Sequence, residues 1–159
     1  MLSQTNFNSI PLSRTTELRF EVNQYKGKSY INIRQYVTSD KYAGYTRKGV
    51  TLSNELAEQL LVAIRSAGSI QQSSAEQELC RLPKNNSTEL IARIIPPSEK
   101  NQIGSLDVRE CIRSEKYTGW TQKGFRLLLN NLPLVIAYLE GCLSQLIQTK
   151  SNIDSMRAD

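Results

Sequence analysis

A ten-residue phrase occurs twice in this chain: KYAGYTRKGV at 41–50 returns as KYTGWTQKGF at 116–125. Laid over one another without a gap, 31–64 and 106–139 match Arg34 with Arg109, Ser39 with Ser114, Lys41 with Lys116 and Tyr42 with Tyr117. The match continues through Gly44/Gly119, Thr46/Thr121, Lys48/Lys123, Gly49/Gly124 and Leu52/Leu127. Apolar character is kept at Ile33/Val108, Val37/Ile112, Val50/Phe125, Leu60/Val135, Leu61/Ile136 and Ile64/Leu139, so two copies of one fold are expected.

In the first copy LRFEV and SYINIRQYV alternate apolar with polar around KGK, which predicts two strands joined by a tight glycine-containing turn. TSDKYAG is a polar loop, and YTRKGVTL a third strand whose glycine marks a bulge. Ser53 then caps a helix with Leu56, Leu60, Leu61 and Ile64 on one face, and FNSIPL adds a strand at the front. The second copy repeats the order as LCRL, the turn KNNS, TELIARII, the breaker PPSEKNQ, IGSLDVRECI and GWTQKGFRL. Its helix begins near Asn131, with Leu132, Val135, Ile136, Leu139, Leu143 and Ile147 as the stripe. One helix covers a four-stranded sheet only in part, so the halves must pack on each other. The expected fold is α+β: two repeats of a curved antiparallel four-stranded sheet followed by one helix, packed as an intrachain pseudo-dimer. The expected boundaries are 1–67 for the first repeat, 68–77 for a Ser/Gln-rich linker, 78–150 for the second repeat and 151–159 for a disordered tail.

Composition excludes much chemistry. With 39% apolar residues in 159, a core is affordable. No apolar run reaches the ~20 residues of a membrane span, and MLSQTNFNSIPLSR lacks a signal peptide's basic start and apolar centre, so a cytoplasmic protein is expected, nucleoid-associated in a prokaryote. Histidine is absent, which removes the histidine-based nucleophile arrangements and the histidine-bearing zinc sites. Cys80, Cys111 and Cys142 contain no CxxC and read as buried thiols. Asp40, Asp107, Glu110 and Glu115 read as solvated carboxylates, and no phosphate-cradling glycine loop is present. Neither an enzyme nor a cofactor or metal site is expected.

If Ile31 and Ile33 face the helix, Tyr30, Asn32, Arg34 and Tyr36 share the opposite face, beside Arg19, Asn23 and Tyr25 of the preceding strand. With Lys26 and Lys28 of the turn and Arg47 and Lys48 of the third strand, that face interleaves rings with cations, the combination that tracks a phosphate backbone while stacking bases. Charge is uneven as well: 1–75 carry nine Lys/Arg against five Asp/Glu (net +4), and 76–159 eleven against ten (net +1).

YKGKSYINIRQYV followed by RKGVTLSNE and a single helix resembles the C-terminal domain of the transcriptional coactivator positive cofactor four. That domain lies in the group of single-stranded-DNA-binding transcriptional regulators that includes the Whirly proteins. The resemblance implies a curved four-stranded sheet with one helix, dimerisation through the helices, and a channel for single-stranded DNA on the sheets. The duplication then looks like that dimer written into one chain. It also implies contacts by Tyr25, Lys26, Lys28, Arg34, Tyr36, Arg47 and Lys48, with Arg19 and Tyr30 added by the face itself. In the second copy only Arg109 and Lys123 match directly, EKNQ replaces the KGK turn, and Trp120 supplies a replacement ring. The expected function is non-enzymatic binding of single-stranded DNA, RNA being equally compatible, mainly through the first copy. The rival expectation is a protein-interaction module that kept the fold, binding a partner protein or another copy of itself. No membrane role is expected.

Overall fold

In a computed structural model the described residues are 7–67, 75–100 and 102–157, with side chains described to 147. The first copy runs β1 (Asn8–Pro11), β2 (Thr16–Tyr25), β3 (Lys28–Thr38), β4 (Ala43–Leu52) and α1 (Asn54–Ala67). The second runs β5 (Gln77–Pro83), β6 (Thr88–Ile95), β7 (Ser105–Arg113), β8 (Thr118–Leu128), a 3-10 turn (Leu129–Asn131) and α2 (Leu132–Arg157). Each set of strands forms an antiparallel meander in sequence order. The expected α+β architecture is therefore present in both halves. The linker expected at 68–77 lies outside the described residues up to 74, and β5 already begins at Gln77. α2 continues through 151–157, where a disordered tail was expected; 158–159 lie outside the described residues.

Period-two alternation decides which side chains enter the core. Ile10, Leu18, Phe20, Ile31, Ile33, Val50 and Leu52 point inward from the first sheet, and Leu90, Ala92, Leu106, Val108, Phe125 and Leu127 from the second. Ser53 caps α1 as expected, its hydroxyl oxygen accepting from the Leu56 N–H at 3.3 Å. On α2 the buried stripe is Val135, Leu139, Cys142, Leu143 and Leu146; Ile147, expected in it, is exposed because Leu146 takes the inward position at that turn. Burial pushes the Cys142 thiol up to about 11, so it remains a neutral packing group.

The helices tie the halves together. α1 lies along α2 and over β5 and β6 of the other sheet, while α2 lies over β2 and β3. Tyr138 of α2 meets Phe20 of β2 edge-to-face at 5.6 Å between centroids, and Arg65 of α1 pairs with Glu140 of α2. One continuous core joins both sheets and both helices, in which each fully buried Leu, Ile or Phe contributes about 1.5–3 kcal/mol. β4 and β8 lie side by side where the sheets meet, without joining into one sheet.

Candidate nucleic-acid interface

The repeated phrase is first of all a device for bending an edge strand. Ser39 Oγ accepts from the Tyr42 N–H at 3.1 Å, and the Tyr42 hydroxyl donates to the Tyr45 carbonyl at 2.8 Å; Ser114, Tyr117 and Trp120 repeat both contacts at 3.0 Å. Next comes a bulge in which Thr46, Arg47 and Lys48 of β4 face one β3 residue, Gln35. Thr46 Oγ1 accepts from the Lys48 N–H at 3.1 Å and donates to the Gln35 carbonyl at 3.3 Å, as Thr121 does with Lys123 and Glu110 at 3.1 and 2.9 Å. Arg34 Nη1 donates to the Thr46 carbonyl at 3.2 Å, and Arg109 Nη1 to Thr121 at 3.0 Å. A β-carbon on Gly49 or Gly124 would lie 2.5 Å from the carbonyl oxygen of Ile33 or Val108, so only glycine closes the bulge. Ser, Tyr, Thr, Gly and the β3/β7 arginine are thereby accounted for by structure. The exposed Lys41/Lys116 and Lys48/Lys123 side chains are not.

Pairing registers place equivalent outer-face residues in rows. Across the first sheet these are Glu17/Tyr36/Tyr45, Arg19/Arg34/Gly49, Glu21/Asn32/Thr51, then Asn23/Tyr30 and Tyr25/Lys28. Across the second they are Glu89/Cys111/Trp120, Ile91/Arg109/Gly124, Arg93/Asp107/Arg126 and Ile95/Ser105/Leu128. The last two rows of the first sheet therefore extend beyond β4 as a two-stranded arm that the second copy lacks. Lys26 and Gly27 turn its tip with φ +50° and +77°, the paired left-handed geometry of a two-residue hairpin turn. Tyr25 is 66% exposed there, with the Lys26 ammonium 5.4 Å from its ring. PPSEKNQ ends the corresponding strand of the second copy at Ile95, because proline cannot continue the ladder.

Further down the first face the aromatic groups are already engaged. The Arg19 guanidinium lies 3.5 Å from the Tyr36 ring centroid, with Phe7 at 4.1 Å and Glu17 at 2.9 Å. Tyr45 meets Tyr36 edge-on at 5.1 Å and donates to Glu21 Oε1 at 2.6 Å. Burial, reinforced by that hydrogen bond, pushes the Tyr45 phenol above its ordinary value and keeps it neutral. Lys26, Lys28, Arg34, Arg47 and Lys48, by contrast, have no ion-pair partner among the described residues.

The second face differs, and the carboxylates explain why. Asp107, expected to be solvated, is 0% exposed: it accepts from Arg93 Nε at 3.2 Å, Arg109 Nη2 at 3.1 Å and Arg126 Nε at 3.1 Å. Glu110, also expected to be solvated, is buried against the Lys84 ammonium at 3.1 Å. Both sit in the middle of the sheet, where an unpaired carboxylate would be costly and only salt-linked partners make burial tolerable. The Arg93 guanidinium also lies 4.1 Å from the Trp120 ring centroid. The equivalent row changes at all three positions, Glu21 to Arg93, Asn32 to Asp107 and Thr51 to Arg126.

Where β4 meets β8 an open cleft of about 460 Å³ separates Arg34, Arg47 and Thr51 of the first copy from Lys84, Glu110 and Lys123 of the second. The structure thus gathers Tyr25, Lys26, Lys28 and Tyr30 on the arm, and Arg34, Arg47 and Lys123 around this cleft, with Lys48 exposed on the β4 bulge outside its lining. Arg19, Tyr36, Arg109 and Trp120 belong to internally bonded clusters. Lys84 and Glu110, which line the cleft, were not nominated as contacts, because nothing in their spacing ties them to a residue on the other copy.

Residues 12–63 match the family described as Transcriptional Coactivator p15 (PC4), and the KGK and RKG motifs that carry the resemblance fall inside that span. The chain is similar in structure to the crystal structure of WHY3 from Arabidopsis thaliana, at a TM-score of 0.47 and 9% identity over 99% of this chain and 98% of that one. It is also similar to WHY1 from Arabidopsis thaliana, at 0.45 and 9% over 99% and 94%. No curated protein matches.

Proposed function

We propose that this chain, whose first copy carries the match to the transcriptional coactivator p15 family, is a non-enzymatic single-stranded-DNA-binding protein with a role in transcription. The strand lies along the arm and turns into the cleft: Tyr25 and Tyr30 stack bases, and Lys26, Lys28, Arg34, Arg47 and Lys48 meet phosphates. The observation that carries this reading is the run of five cations with no carboxylate partner among the described residues, beside the exposed Tyr25 ring and the half-buried Tyr30 on one face. Cations kept apart from carboxylates retain their full attraction for phosphate, and flat rings accept any base.

Fluorescence anisotropy of a labelled oligo-dT of about 20 nucleotides, titrated at several salt concentrations beside a duplex and an oligo-U control, tests it. Four or five phosphate contacts give a slope of about -3 to -3.5 in log affinity against log salt. Preference for the single strand with that slope is the expected result. No binding at low salt would shift the function to a protein partner.

A further inference from the structure

Resting on that reading, we propose that Asp107 locks the outer face of the second sheet out of strand binding, so that one chain holds one strand rather than the two its duplicated fold would allow. The lock has three parts. Asp107 draws Arg93, Arg109 and Arg126 onto one fully buried carboxylate, and Arg93 is held a second time by Glu76 at 3.0 Å. Each of these guanidiniums already donates to Asp107, so a phosphate approaching any of them also meets the Asp107 charge. Arg93 also lies over the Trp120 ring and occupies the surface on which a base would stack. Third, the ring that follows the arginine on the first copy, Tyr36, is replaced by the buried thiol Cys111.

The corresponding row of the first copy shows what an unlocked face is. Asn32 stands where Asp107 does and takes only weak contacts, from Arg34 Nε at 3.3 Å and Thr51 at 3.4 Å, leaving Arg34 without a carboxylate. Asparagine is thus what the first copy carries at this position, in a row without the arginines that surround Asp107.

Trp120 is the chain's single tryptophan, so its emission reports the second face alone. The experiment titrates the full chain with oligo-dT, following labelled-oligonucleotide anisotropy and tryptophan emission together, for the natural protein and for Asp107→Asn checked for folding by circular dichroism. Expected for the natural protein are a rise in anisotropy, one strand per chain at saturation and Trp120 emission unquenched. Asp107→Asn should gain Trp120 quenching and a steeper salt dependence. Trp120 quenching or two strands per chain in the natural protein overturns the lock, as does a folded Asp107→Asn that behaves like its parent; should that variant not fold, the natural protein's emission decides alone. Absence of any anisotropy change at low salt overturns the parent reading instead, and the lock with it.

Discussion

At Lys26 the backbone takes φ +50° beside Gly27 at +77°, a left-handed pair that favours Asn-Gly over Lys-Gly. A lysine held where asparagine fits better points to a use for its charge, and it stands at the tip of the arm beside an exposed tyrosine. Lys26→Asn is therefore expected to raise stability by about 0.5–1 kcal/mol, read as the midpoint of urea unfolding. The same change should flatten the salt slope by about 0.7, one phosphate contact. A variant both less stable and unchanged in binding would show that Lys26 serves the turn. The turn was legible in KGK, but the left-handed lysine emerges only once the two strands are in register.

The β2–β3 hairpin is one element with two unlike halves. Its outer half presents Tyr25 to solvent, whereas its inner half folds Tyr36 under Arg19 and against Tyr45. Tyr25→Ala should cost on the order of 1–3 kcal/mol of binding with the thermal midpoint unchanged, measured by anisotropy and circular dichroism on the same preparation. Tyr36→Ala should do the opposite, lowering stability by about 1–2 kcal/mol through the lost ring and cation contacts and affecting binding less. Alternation placed both tyrosines on one face of one strand pair. It could not separate them, because the difference lies in which partner each ring meets across the sheet.

At the scale of the whole molecule the halves share one core and exchange helix cover: α1 over β5 and β6, α2 over β2 and β3. Residues 1–67 alone would leave the inner face of the first sheet bare where Tyr138 covers Phe20, and would lose the α1–α2 packing. Size-exclusion chromatography and thermal melting of that fragment should find no folded monomer; a cooperative, monomeric transition would mean that the copies are independent domains. The pseudo-dimer also sets the site. Arg34 and Arg47 face Lys84 and Lys123 only because β4 is laid against β8.

Duplication, strand alternation, the capped first helix and the basic character of the first copy were determined by the sequence, since each depends on residue type and short-range spacing. The bulge was foreseeable from one glycine; the bonds that shape it, from Ser39 to Thr46, became explicable only when the same contacts recurred in the second copy. Tertiary structure alone decided which charges are spent. Asp107 and Glu110 read as solvated in the sequence because a carboxylate's default is water, and three arginines from three strands reversed that for Asp107. Ion pairing is a property of side chains brought together from separate strands, so of two faces that both carry cations one stays open to phosphate and the other has its arginines drawn onto carboxylates.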